Sequence, residues 1–509
     1  MKDRFAGVLL PVTALPSPYG VGTLGKHARD FIDFLAKSKQ SVWQVLPLVP
    51  TGYGDSPYSS SCAIAGSPYL IDIDTLIHRG LLTQDEANEY NCQSEWEDMK
   101  NRVNYEALFY RRIPLLKIAF SRFDTACSEF TEFINRGEYS DFAMFMALKE
   151  AHGWKALSTW EEKYRLRDET ALAEFVESKR DDVLFWQFTQ FEFFNQWSEI
   201  KAYANERGVQ IMGDMPLYVS DDSAEVWAHP ELFMLDEKGA STEVAGVPPD
   251  YFSEDGQLWG NPLYNWVKMK EDGYAWWTAR LRKALDMYDI VRIDHFRGFD
   301  RFYAIPAGSV NARIGQWYDG PKEALFEDKK DWMIVAEDLG VLDDGVYRLM
   351  ANTGYPGMKI LEFAFDGNPY HIFKPSNYGH NCVVYTGTHD NATFIEFLED
   401  MGEGQRQIFY SDLAAECKKF DISFNYHPRW VNSVSTMHRA REAVISVALA
   451  SDAKYVIFPL QDLLGTGRET RMNMPGILSN KNWSWRCQSR DLGKKLAEKL
   501  SGEVERSNR

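Results

Sequence analysis

IVRIDH, residues 290–295, is a short β-branched run that ends on a carboxylate and an imidazole. It reads as a strand delivering polar groups at its carboxyl end. Seven other short apolar runs bounded by Gly, Pro or acidic residues read the same way. They are GVLLPV at 7–12, VWQVLPL at 42–48, VQIMGDMPL at 209–217, MIVAED at 333–338, MKILEF at 358–363, CVVYTGTHD at 382–390 and YVIFPLQD at 455–462. Helical patterns separate most of them; in KHARDFIDFLAKS at 26–38, Phe31, Phe34 and Leu35 share one face. Eight alternations of strand and helix predict an α/β fold, a closed (β/α)8 TIM barrel.

The spacing is uneven. The interval between the second and third runs is far longer than one crossover helix needs and is mostly helical in pattern, which predicts a large, mainly helical insertion at 58–205. The barrel then comprises 1–57 and 206–509, with a smaller helical excursion at about 395–450. No Gly/Ser linker sets these parts apart, so they are expected to pack on the barrel.

The 509 residues, 45% hydrophobic and 26% charged, suit a large globular core. A formal charge of −18 repels phosphate backbones and anionic membrane surfaces, so neither nucleic acid nor membrane is expected as a partner. The first residues, MKDRFAGVLLPVTALP, are broken by prolines and lack a small-residue cleavage site, and no stretch has the length of a membrane span. Six scattered cysteines without CxxC or Cys/His spacing read as free thiols, and the expected location is cytoplasmic. Aromatic residues are plentiful at 14%, and pyranose rings stack on such side chains.

GVGTLG at 20–25 matches a dinucleotide-binding fingerprint in form, but seven residues including two prolines separate it from the preceding strand. It reads as a glycine loop ahead of a helix. His and carboxylates at strand ends (Asp294-His295, Glu337-Asp338, His389-Asp390) also allow a divalent-metal reading, which EDTA would test.

Side chains two apart on a strand share a face, so Arg292 and Asp294 point together into the barrel mouth. The guanidinium is expected to lower the Asp294 pKa and keep it ionised, as a nucleophile requires. Glu337, behind Ile334, Val335 and Ala336, has less charge compensation and suits a general acid/base. Asp390 follows Thr386, Thr388 and His389. Three carboxylates at one mouth supply two for retaining glycoside chemistry and a third to stabilise an oxocarbenium ion. Whether water or a sugar hydroxyl intercepts the intermediate is open at this level, and so is a non-catalytic glucan-binding role.

VRIDHFRGF at 291–299, VAEDLG at 335–340 and YTGTHDN at 385–391 resemble the catalytic segments of the amylomaltase, or 4-α-glucanotransferase, family. GDMPLYVSDDSAEVW at 213–227, VPPDYFSEDGQLWGNPLY at 247–264, LPLVPTGYGDSPYSSSCAIAGSPYL at 46–70 and RMNMPG at 471–476 are similar to it too. The resemblance implies transfer of an α-1,4-glucan segment to the 4-hydroxyl of glucose or another glucan, with no metal or organic cofactor. It implies Asp294 as nucleophile, Glu337 as acid/base and Asp390 as stabiliser, with Arg292, His295, His389 and Asp214 lining the sugar site. Asp366 would hold sugar hydroxyls; its alternative is a turn residue before Gly367. Tyr53, Ser56 and Tyr58 are expected sugar contacts. The Pro/Gly-rich stretch 247–264, carrying Tyr251, Phe252 and Trp259, is expected to be a lid loop.

Overall fold

The computed structural model describes residues 3–94, 100–249, 254–340 and 342–509. All eight expected runs form strands: β1 Phe5–Leu9, β2 Val42–Gln44, β3 Gln210–Met215, β4 Ile290–Ile293, β5 Ile334–Ala336, β6 Gly357–Ile360, β7 Cys382–Tyr385 and β8 Tyr455–Pro459. Strands β1 to β5 pair in parallel in sequence order, as do β6 to β8, and β8 pairs with β1. Between β5 and β6 the Ala336 N–H donates to the Pro356 carbonyl at 2.9 Å, which completes the ring.

One residue set fills the inside of the ring. Leu9, Val42, Met212, Ile290, Val335, Met358, Val383 and Tyr455, one from each strand, belong to a single buried cluster. The alternate residues Val291, Ile293, Ile334, Val384 and Val456 join the larger core against the helices. Because successive strand side chains face opposite ways, Ile290, Arg292 and Asp294 share the interior face, with the polar pair at the carboxyl end.

The strands are shorter than their runs, and the catalytic-type residues lie just beyond them. Hydrogen bonding continues a step further: the Asp294 N–H donates to the Met215 carbonyl, and that of Glu337 to the Ile293 carbonyl, both at 3.0 Å. Both side chains therefore stand on backbone tied to the barrel.

Helices fill the interval between β2 and β3, the longest being Arg180–Glu206 with Phe185, Trp186, Phe188 and Trp197 buried. Three more, Phe394–Asp400, Glu403–Lys419 and Val434–Ala450, stand between β7 and β8. A four-stranded antiparallel sheet was not anticipated from the sequence. Its strands run in the order Gln257–Pro262, Glu243–Val247, Arg301–Pro306, Gln316–Asp319. The stretch expected as an irregular lid loop thus contains a strand, and Trp259 sits on it. Tyr251 and Phe252 lie outside the described residues.

The GVGTLG segment is packed rather than open to a phosphate. The Asp72 carboxylate lies 2.1 Å from where a Gly25 Cβ would stand, at the start of helix Lys26–Lys37. Asp72 also accepts from the Thr23 hydroxyl at 2.7 Å and the Thr75 N–H at 2.9 Å. All six cysteines are free, and among the described residues no helix is long and apolar enough to cross a membrane.

Candidate active site

A cleft of about 900 Å³ opens at the carboxyl ends of the barrel strands, and Arg292, Asp294, His295, Glu337 and Asp390 line it together with Ser56, Tyr58 and Trp259. Arg292 rises from the barrel interior, with Met358 Sδ 3.4 Å from its Nε. Its Nη1 reaches Asp214 Oδ1 at 2.6 Å and Asp294 Oδ1 at 3.1 Å, so one guanidinium serves two carboxylates. Asp214 also accepts the Tyr58 hydroxyl at 2.7 Å.

The chain turns sharply after Asp294. His295 adopts φ +50°, a left-handed conformation unusual for a residue with a Cβ, and starts the short helix Phe296–Phe299. That turn aims the His295 N–H at Glu337 Oε2 (2.7 Å), while the Leu339 N–H meets Glu337 Oε1 at 2.8 Å. Backbone donors thus tie both Glu337 oxygens, on the strand end next to Asp294. Asp390 is fixed from another direction, accepting Asn473 Nδ2 at 2.7 Å, with His389 Nε2 at 3.5 Å from its other oxygen.

Burial raises Glu337 to about 7, and the neighbouring Asp294 charge adds to it, against the pull of Arg292 and the two backbone donors. Asp294 also moves up, to about 6. This corrects the sequence expectation: Arg292 does draw its pKa down, but burial outweighs that pull and the charge of Asp214 opposes it. The guanidinium is shared, so Asp294 receives only part of its effect. The expected order survives, with Glu337 keeping its proton to higher pH than Asp294. Burial lowers His295 to about 3, leaving a neutral ring near pH 7 that meets Trp259 edge-on at 4.8 Å.

Asp214 and His389, with side chains 0% and 3% exposed, form the floor under the lining residues. His389 stacks beneath Tyr58 with centroids 5.1 Å apart. Tyr53 is 92% exposed and does not line the cleft. Asp366 is also outside it: its carboxylate accepts the Asn368 N–H at 2.8 Å in an exposed turn, the alternative weighed from the Asp-Gly pair. Among the described residues no group of three His, Cys, Asp or Glu side chains is arranged to hold a metal ion.

Three features escaped sequence reasoning. Asn473 lies within the RMNMPG segment, but its bond to Asp390 joins residues far apart in the chain. Trp483 lines the cleft and packs 5.7 Å from Tyr58, without a local signal to separate it from core tryptophans. Asn391 accepts from the Thr388 N–H (2.9 Å) and hydroxyl (2.8 Å) while donating to buried Glu362 at 2.9 Å, which fixes the turn presenting Asp390.

Residues 10–491 match the family model described as 4-alpha-glucanotransferase. The 4-alpha-glucanotransferase of Thermus thermophilus is 42% identical, over 99% of both chains, and that of Solanum tuberosum is 37% identical over 96% of this chain and 82% of its own. An amylomaltase from Streptococcus agalactiae, solved in complex with acarbose, superposes with TM-score 0.91 at 38% identity, covering 100% of each chain. The amylomaltase of Corynebacterium glutamicum shares the fold at TM-score 0.79 and 18% identity, over 99% of this chain and 75% of its own. With the barrel and its carboxylate cleft, these similarities place the chain in the 4-alpha-glucanotransferase family.

Proposed function

We infer that this protein moves α-1,4-glucan segments from a donor chain to the 4-hydroxyl of glucose or another glucan by double displacement, without a cofactor. One observation carries the residue assignment. Arg292 holds Asp294 on one side, and backbone donors hold Glu337 on the adjacent strand end, with Glu337 shifted further toward its protonated form. Protonated Glu337 gives its proton to the glycosidic oxygen while the Asp294 carboxylate attacks C1, forming a glycosyl ester and releasing the reducing-end fragment. An acceptor 4-hydroxyl then gives its proton to the Glu337 carboxylate and attacks C1, Asp294 leaves, and two inversions restore the α configuration. Asp390 stabilises the positive charge that develops at C1.

Asp214 acts from beneath through Arg292, while His295, Ser56, Tyr58 and Trp259 contact sugar rings. Tyr251 belongs to the same reading as a further sugar contact, and His389 as support for Tyr58 and Asp390. The division into a barrel (1–57 and 206–509) with an inserted helical unit (58–205), and a cytoplasmic location, complete the proposal; six free thiols support the latter. The test is incubation with maltotriose. Transfer yields glucose and longer chains at constant total reducing ends, whereas hydrolysis raises that total.

A further inference from the structure

The helical excursion between β7 and β8 has no part in the chemistry above, yet one of its helices grips a wall of the cleft. Phe363, His371, Ile372 and Phe373 line the cleft beyond β6, in a segment held together by its own bonds. Asn377 Nδ2 donates to the Pro369 and His371 carbonyls, each at 2.9 Å, and the Lys374 N–H donates to the His371 carbonyl at 3.1 Å. Helix Glu403–Lys419 supplies two carboxylates one turn apart to this unit. Asp412 accepts the Gly367 N–H at 2.9 Å and pairs with Lys374 Nζ at 2.5 Å, and Glu416 accepts the Ser376 N–H at 2.7 Å. Lys419 bridges Glu416 Oε2 at 2.8 Å and the Ser376 hydroxyl at 2.9 Å.

The Lys374 side chain is 2% exposed and that of Asp412 11%. A lysine buried within a surface segment holds its place through its partner, because an unpaired ammonium there would draw the segment toward water. The remaining exposed surface includes Tyr370 and Ile372, 85% and 58% exposed, which suits sugar faces.

We propose that Asp412 and Glu416 are positioning residues that pin segment 366–376 as a fixed wall of the glucan cleft. The excursion thereby sets how tightly a chain is held, independently of bond cleavage. This rests on the reading of the cleft as a glucan site, which wild-type turnover of maltotriose tests separately.

The experiment compares wild-type, Asp412→Ala and Glu416→Ala enzymes in maltoheptaose disproportionation, with KM, kcat and the pH profile measured. The expected result is a KM raised about tenfold by Asp412→Ala with kcat within about twofold and both pH limbs unmoved, the pattern of lost binding common to ground and transition states. Glu416→Ala gives a smaller rise in the same direction, and it guards against a folding failure of the first variant because its Lys419 partner is 47% exposed. An unchanged KM in both folded variants, or a fall in kcat at constant KM, overturns the proposal. Loss of wild-type maltotriose turnover would instead overturn the functional reading beneath it.

Discussion

Arg292 divides its charge between Asp214 and Asp294, so Asp214→Asn should retune Asp294, the proposed nucleophile. The two carboxylates lie 2.6 and 3.1 Å from the same guanidinium nitrogen, which limits their bonded oxygens to about 5.7 Å apart, those distances end to end. At an effective dielectric constant of about 20, such a pair repels by about 3 kcal/mol, equal to about 2 pH units; the one-third exposure of Asp294 reduces this to between about 1 and 2. The sign follows: the Asp214 charge raises Asp294, so its removal lowers Asp294 from about 6. Asparagine keeps the shape, and its oxygen still accepts from Arg292. In kcat/KM for maltotriose, the acid limb belongs to Asp294 ionising and the alkaline limb to Glu337 losing its proton near 7. With limbs near 6 and 7, about three-fifths of wild-type molecules reach the active protonation state at the optimum, and about nine-tenths once the acid limb falls near 4.5. The profile should broaden toward acid even if the maximum rate drops. Glucose release measured across the pH range decides it; an acid limb that stays near 6, or rises, refutes this account of the shared guanidinium.

Asp294→Asn should lower kcat by roughly 10⁴- to 10⁶-fold with the melting temperature little changed, and residual activity above a few per cent would remove Asp294 as nucleophile. Exhaustive EDTA treatment should leave the rate unchanged; a loss restored by Zn²⁺ or Mg²⁺ would revive the metal reading. Trp259→Ala, at the wall beside His295, should lower transfer more than hydrolysis, so that total reducing ends climb during maltotriose turnover. An unchanged ratio would end the role of Trp259 in holding the acceptor.

The barrel was legible because each strand combines a β-branched run with a sharp polar or glycine boundary, and the repeat occurs eight times. The accessory sheet was not: EVAGV and QLWGNP are short, glycine-containing, and stabilised by pairing, EVAGV with Arg301–Pro306 and QLWGNP with EVAGV, rather than by local preference. At the site, the i, i+2 rule placed Arg292 and Asp294 side by side, yet the net direction of the Asp294 pKa depended on burial and on Asp214, a residue 80 positions earlier that pairing of β3 with β4 brings alongside. Asn473 and Glu416 escaped for the same reason: their role lies in bonds to segments distant in the chain, for which a sequence has no periodicity.

The size of the cleft bears on why transfer needs more than containment. One acceptor molecule confined to about 900 Å³ has a concentration of about 2 M, against about 55 M for water, so confinement alone leaves water ahead by roughly thirtyfold. To favour transfer a hundredfold, the site must supply a further factor of about 3 × 10³ through orientation of the 4-hydroxyl and exclusion of competing water, well within the reach of effective molarity. Orientation on that scale requires walls that do not move. The contacts of His295 with Trp259 and of Tyr58 with His389 and Trp483 each fix a side of the cleft. On the proposed assignment, the same three carboxylates in a looser mouth should pass more of the glycosyl ester to water, which puts the branch between transfer and hydrolysis in those contacts rather than in the carboxylates.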